Sequence, residues 1–429
     1  MIDRPSRRDF IGTAASLAAA SSLNAQTAFA QGRSAAIPGG SAVTSLDSML
    51  RSAVGAQEVP GIVALAASDD GILYEGNFGH RRLPDGPGMT GDTVFRIASM
   101  VKLITTIAAL QLVERNQLSL DAPAPEIDPA ISSPKVLDGF EANGFPRLRP
   151  ATGPITLRQL LTHTAGFTYR LWDAKAARYA RSIEQLPPAQ RAAASSTPLM
   201  FDPGERWQYG TNIDWVGRIV ESVSGDPLEA YFRQHILAPL GMNDTAFVIS
   251  PQQQQREASV HRRKLDGLLE AQPTERRTGK QSFSGGGGIY STAPDYLTLL
   301  RALMRGGSLN GARILRPDTV ALMGQNQIGN ISVGVLKTTV PALSNDVDLF
   351  PRIDLKWGFG HMINLQAVPG GRSAASLTWG GLFNTYYWLD PRQRVAAVFM
   401  TQVLPFADSR ALRLYSRFER GIYALVKSG

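Results

Sequence analysis

Apolar residues gather into short strand-like runs near both ends of the chain and into helix-like repeats through its middle. Gly61-Ile62-Val63-Ala64-Leu65-Ala66 and Ile72-Leu73-Tyr74-Glu75-Gly76 flank Asp69-Asp70-Gly71, which predicts a hairpin. A short amphipathic helix is predicted before it, over Thr44–Gly55. Helical spacing then covers Thr156–Thr164, with Thr156 as N-cap and Gly166 as stop, followed by Ile213–Ser224, Pro227–Leu237 and Pro294–Met304. The strand pattern returns at Trp357–Leu365. It continues in Tyr386–Leu389 and Val395–Met400 around the turn Asp390-Pro391-Arg392-Gln393, and a helix over Arg410–Val426 closes the chain. Between Pro123 and Pro154 the prolines predict a segment without long regular structure, draped over the surface. Strands at both ends with helices between predict an α/β (α+β) fold completed by both termini. The predicted division is an α/β domain from residues 31–120 and 276–429, with a helical domain, 121–275, inserted.

One run breaks the pattern. Met100–Val113 is apolar on nearly every face, as in a buried helix, and its single charge is Lys102. A buried lysine is costly unless it is paired or neutralised. Ser99 stands three residues earlier, and residues three apart share a helix face at roughly 5–6 Å. A serine hydroxyl is a weak nucleophile until a base takes its proton. Desolvation lowers a lysine from its reference pKa of about 10.4, and reaching about 7–8 would cost roughly 3–4 kcal/mol. Ser99 also falls near the helix start, where free N–H groups favour developing negative charge. The same spacing in Ser132-Ser133-Pro134-Lys135 reads as a loop, because Pro134 interrupts any helix.

The bulk numbers narrow the classes. Of 429 residues, 43% are hydrophobic and 19% charged, which are globular values, and the absence of cysteine excludes disulfides, zinc–thiolate sites and a lipoprotein anchor. Ser6-Arg7-Arg8-Asp9-Phe10-Ile11, the apolar stretch Ile11–Leu23 and Ala28-Phe29-Ala30 predict a twin-arginine signal peptide over residues 1–30, hence a periplasmic or secreted protein; an ordinary secretory signal is the alternative. No later segment is apolar for long enough to span a bilayer, so no membrane anchor is expected. The net charge of +8 is scattered. Arg262-Arg263 and Arg276-Arg277 read as solvated faces, and without a basic stripe nucleic-acid binding is not expected. No metal or cofactor is expected: the five histidines lack metal-ligand spacing, and Gly285–Gly288 is followed by no Gly-Lys-Ser/Thr.

Five ordered motifs carry a resemblance. Phe95-Arg96-Ile97-Ala98-Ser99-Met100-Val101-Lys102 resembles the nucleophile motif of the serine β-lactamase and penicillin-binding-protein superfamily. Leu160-Leu161-Thr162-His163-Thr164-Ala165-Gly166 is similar to its Leu-Leu-Thr-His-Thr-Ser-Gly segment. Pro203-Gly204-Glu205-Arg206-Trp207-Gln208-Tyr209 resembles the approach to the tyrosine motif of class C-like enzymes. Gly286–Thr292 and Trp379-Gly380-Gly381 follow in the family's order. The resemblance implies a β-lactamase/DD-peptidase-like fold, an antiparallel sheet flanked by helices with an inserted all-helical domain. It also implies acyl transfer. Ser99 would attack a carbonyl, and Lys102 and Tyr209 would move the proton, with the base unassigned between them. The backbone N–H groups of Ser99 and Leu382 would hold the oxyanion. Trp379, Gly380 and Gly381 would line the substrate pocket. His163 reads as structural and Asp214 as a residue that orients backbone.

Two departures matter. Thr211 stands at the asparagine position of the tyrosine motif, and Trp379-Gly380-Gly381 replaces the Lys-Thr-Gly whose lysine helps to bind the β-lactam carboxylate. The pattern is similar instead to family VIII carboxylesterases and 6-aminohexanoate-dimer hydrolases. The expected activity is hydrolysis of esters of small to medium acyl groups. The alternatives are an amidase acting on linear oligoamides, or a penicillin-binding sensor with weak β-lactamase activity.

Overall fold

The computed structural model describes residues 40–123, 131–187, 197–274 and 283–428. The predicted signal segment, Arg276-Arg277 and the boundary at residue 276 lie outside them.

Seven antiparallel strands form the central sheet: β1 (Gly61–Ser68), β2 (Ile72–Gly79), β3 (Leu355–Trp357), β4 (Met362–Asn364), β5 (Leu377–Gly381), β6 (Thr385–Asp390) and β7 (Val395–Met400). Their order is β3-β4-β5-β6-β7-β1-β2, so the predicted N-terminal hairpin joins the C-terminal strands through β1 and β7. Every residue of β6 and β7 is buried, and alternate side chains of β6 go to opposite faces. Tyr386 and Trp388 pack on Tyr415 and Phe418 of the closing helix, whereas Tyr387 packs on Tyr296 from the other side. The sheet is therefore covered on both faces. Helices α1 (Gly40–Gly55) and α6 (Ser409–Ser428) pack together on one, and α5 (Ala293–Met304) lies against β1 and β7 on the other.

The helix carrying Lys102, α2 (Val101–Glu114), is buried along twelve consecutive residues from Val101 to Leu112. It packs against α4 (Asn212–Ser224) of the inserted segment. A second helix of residues 121–275, α3 (Leu157–Leu161), is short and firmly started. Thr156 accepts from the Gln159 N–H while the Gln159 side chain accepts from the Thr156 N–H, a capping box.

Four local expectations are corrected. Residues 121–275, expected as an all-helical inserted domain, carry strands as well as helices: Lys135–Phe140 and Pro146–Pro150 pair as a hairpin within the proline-rich stretch. Pro146 and Pro150 stand at the two ends of one strand of this hairpin, where a missing N–H is tolerated. Residues His261–Arg263 and Leu269–Ala271 also form strands, and the first pairs with Val403–Leu404. The single strand expected over Trp357–Leu365 is two, β3 and β4, because Gly360 takes a left-handed φ of 82° in the turn between them. Arg263 is not on a solvated face. Its guanidinium forks onto the buried Asp408, at 2.6 and 3.1 Å.

Candidate active site

The nucleophile turn is built by backbone. The short strand Phe95–Arg96 runs into a 3-10 turn, Ala98–Met100, and then into α2. Ala98 adopts φ 44°, in the left-handed region that costs a residue with a Cβ roughly 1–2 kcal/mol. The turn leaves Ser99 partly exposed at the mouth of α2. The Tyr296 hydroxyl of α5 donates to Met100 O at 2.9 Å and fixes the turn against the sheet.

Lys102 is 2% exposed, and its ammonium has three N–H donors with three acceptors. They are Ser99 Oγ at 3.3 Å, Tyr169 Oη at 3.1 Å and Gly286 O at 2.6 Å. Its Nζ also lies 5.0 Å from the ring centre of Tyr209 and 5.3 Å from that of Tyr169. The expectation that desolvation leaves a neutral amine is corrected here. Burial does push the group down, but the phenols of Tyr169 and Tyr209 and the Asp214 carboxylate outweigh it and hold Lys102 above its ordinary value. Lys102 is a charged donor in the resting site.

Tyr209 is 1% exposed beneath Tyr169, with ring centres 5.5 Å apart. The indole Nε1–H of Trp379 donates to its oxygen at 3.0 Å. His163, at φ 59° in the loop after α3, packs 4.6 Å from the Tyr209 ring. Its Nδ1 accepts from the Gly210 N–H at 3.4 Å and the Asn212 side chain at 3.2 Å. Burial, reinforced by the Lys102 charge, holds this imidazole well below its ordinary pKa, so it stays neutral. It supports the Tyr209 segment and does not reach Ser99. Gly210 lets that segment pass the Phe167 carbonyl, which a Cβ would overlap.

A cavity of about 730 Å³ opens onto Ser99. Tyr169, Leu171, Trp172, Phe247, Ile249 and Phe383 form much of its wall, and Leu382 faces it from just beyond β5. Trp379, Gly380 and Gly381, expected in the substrate pocket, are not among the residues that line this cavity. On β5 the Trp379 side chain turns toward Tyr209 and borders a separate cavity of about 180 Å³. Gly381 instead allows close approach, because a Cβ there would overlap Ile97 O and the Thr385 hydroxyl. The approach brings Leu382 beside the Ser99 turn. Among the described residues the Leu382 N–H has no hydrogen-bond acceptor, as an oxyanion donor requires.

Two residues gain roles that the sequence did not announce. Tyr169, in the loop after α3, is the cavity-facing phenol on Lys102. Burial raises its pKa, so it keeps its proton. Asp214, in the first turn of α4, accepts from Tyr169 Oη at 3.4 Å and from the Ser284 hydroxyl. No spacing signal marks Tyr169. Asp214 was legible as a residue in a first helical turn, but its partner Ser284 is seventy residues away. Ser132, the other serine with the same spacing, is exposed in a loop.

The beta-lactamase family model matches residues 46–421. The chain belongs to the β-lactamase family. Monacolin J acid methylbutanoyltransferase of Aspergillus terreus is 33% identical over 415 residues, which cover 90% of this chain and 97% of the relative. Lovastatin esterase of Penicillium rubens is 30% identical over 397 residues, 88% of this chain and 98% of the esterase. The solved LovD9 mutant of simvastatin synthase from A. terreus superposes with a TM-score of 0.80 at 31% identity, covering 90% of this chain and 100% of that one. This β-lactamase-family chain thus has the expected fold, and its similar relatives include both an acyltransferase and an esterase. Among the described residues, no helix is long and apolar enough to cross a membrane, and no group of His, Asp and Glu could hold a metal ion.

Proposed function

We propose that the protein is a serine hydrolase that cleaves carboxylic esters through a covalent acyl-enzyme on Ser99. The observation that carries this is the contact of Ser99 Oγ with Lys102 Nζ at 3.3 Å, on the wall of the 730 Å³ cavity. Ser99 Oγ attacks the ester carbonyl and its proton passes to the Tyr209 oxygen, a step that requires the phenol to stand ionised against the Lys102 ammonium and the Trp379 N–H. The oxyanion forms against the N–H groups of Ser99 and Leu382. The proton returns to the departing alkoxide, and water then repeats the sequence in reverse to release the acid. All three Lys102 donors are occupied, which suits a fixed cation better than a base. The Trp379 N–H on the Tyr209 oxygen suits that oxygen to carrying negative charge.

Acyl transfer to an alcohol is the second reading. The cavity is large enough for a drug-sized molecule beside a short acyl group, and a relative that spans nearly the same length is named as a methylbutanoyltransferase. Turnover of p-nitrophenyl butyrate, with and without an added bulky alcohol, separates hydrolysis from transfer. A chromogenic cephalosporin and a linear amide dimer test the sensor and amidase alternatives. Ester turnover should be lost in Ser99→Ala; turnover that survives it overturns the mechanism. The twin-arginine motif supports export to the periplasm, which cell fractionation with and without Arg7→Lys/Arg8→Lys would test.

A further inference from the structure

Two of the three acceptors around Lys102 converge on one carboxylate. The first arm runs through Tyr169, whose oxygen takes a Lys102 N–H at 3.1 Å while its hydroxyl donates to Asp214 Oδ2 at 3.4 Å. The second runs through the glycine loop. The Ser284 hydroxyl donates to Asp214 Oδ1, the Gly286 N–H donates to Ser284 Oγ at 3.1 Å, and Gly286 O takes the Lys102 N–H at 2.6 Å. A Cβ at Gly286 would overlap the Asp214 carboxylate, so the loop lies directly on it. The third Lys102 donor is then left for Ser99 Oγ.

We propose that Asp214 is a positioning residue for the acyl-transfer reaction: it sets the place and the charge of Lys102 through the Tyr169 phenol and the Ser284–Gly286 loop. An ammonium with two donors anchored has one remaining direction, and that direction is the nucleophile. The groups that face Lys102 are Tyr169 from the loop after α3, Tyr209 from the segment before α4, Asp214 from α4 and the neutral His163. Asp214 supplies the carboxylate of this set. Its side chain touches Lys102 through others, so its effect is on geometry and charge.

The catalytic consequence rests on the ester-cleavage reading, but the state of Lys102 can be read without substrate. The experiment compares Asp214→Asn, Asp214→Glu, Tyr169→Phe and Ser284→Ala. One readout is p-nitrophenyl butyrate kinetics across pH. The other is the ¹⁵N signal of Lys102 Nζ, assigned by its loss in Lys102→Met. Asp214→Asn should lower kcat by about 10–100-fold with KM within about twofold. Without the carboxylate, the alkaline limb and the Lys102 titration should both move to lower pH. Each single-arm variant should shift both in the same direction by less, and Asp214→Glu should recover part of the loss. The proposal falls if Asp214→Asn keeps wild-type kcat and an unshifted Lys102 signal, or if Tyr169→Phe and Ser284→Ala both do. Should Asp214→Asn fail to fold, the two single-arm variants decide on the same readouts. A wild type that turns over no ester would overturn the parent reading alone, while the Lys102 signal would still test the two arms.

Discussion

The indole N–H of Trp379 donates to the phenol oxygen of Tyr209 at 3.0 Å, with both side chains almost fully enclosed. Where the Lys-Thr-Gly enzymes carry a lysine for a substrate carboxylate, this chain has a neutral donor committed to a phenol. Trp379→Phe keeps an aromatic ring there and removes the donor. Losing one buried hydrogen-bond partner costs about 1–3 kcal/mol, so kcat/KM for p-nitrophenyl butyrate should fall about 5–150-fold. A change within twofold would show that the bond is not used in the reaction.

Lys102→Met should cost activity and stability together. It removes one partner of a buried network and leaves Gly286 O, Tyr169 Oη and the Asp214 carboxylate without their cation, a loss of about 3–5 kcal/mol. Ester turnover should be lost and the Tm should fall. Because Lys102 is held above its ordinary pKa, any stability it contributes is present through neutral pH and is lost only above about pH 10. The difference in denaturation midpoint between wild type and Lys102→Met should therefore stay constant from pH 6 to 9.

Gly381→Ala tests the oxyanion geometry. The added methyl meets Ile97 O and the Thr385 hydroxyl, so the end of β5 must move away from the nucleophile turn. Displacing the Leu382 N–H should lower kcat by roughly 10²–10³-fold, the range for loss of one oxyanion donor. Acylation of Ser99 by a fluorophosphonate should slow in step.

Asp295 makes a pH prediction. Burial raises its carboxyl to about 7, against hydrogen bonds from Thr245 Oγ1 at 2.8 Å and the Asp244 N–H at 2.9 Å. A carboxyl with a raised folded-state pKa favours folding when protonated. Wild-type stability should therefore fall as pH rises from about 4 to 7. Asp295→Asn keeps an acceptor and removes the charge. Its Tm should match the wild type near pH 4 and exceed it by several degrees near pH 8.

The closing helix depends on a buried ion pair. Arg372 is fully enclosed and donates to Glu419 at 2.9 and 2.7 Å and to the Tyr415 hydroxyl at 2.8 Å. Glu419→Ala strands the guanidinium, which should destabilise the fold by about 3–5 kcal/mol. Kinetics of the folded fraction should be unchanged, since this face of the sheet is opposite the site.

Much of this architecture was legible because hydrophobic periodicity is local. The helix around Lys102, the β1–β2 and β6–β7 hairpins and the capped start of α3 each follow from residues within a few positions. The break between β3 and β4 was missed because Trp357–Leu365 is rich in large apolar residues, and its turn signal is the pair Gly358 and Gly360, of which Gly360 takes the left-handed backbone. The surface reading of Arg263 failed for a different reason. Its partner Asp408 lies 145 residues away, and no local pattern can reveal a pairing that remote.

For the site, the sequence by itself determined the reactive pair. Ser99 and Lys102 share a helix face because three residues span about one turn, and the apolar run around them required the lysine to be buried. Tertiary structure alone decided the lysine's charge. Desolvation read from sequence argued for a neutral amine. The folded chain brings Tyr169, Tyr209 and Asp214 around it from separate loops and a second helix, and electrostatic interactions depend on distances that only the fold sets. It also decided that Trp379 turns toward Tyr209 and away from the cavity at Ser99, because the face to which a strand residue turns follows from its register with neighbouring strands.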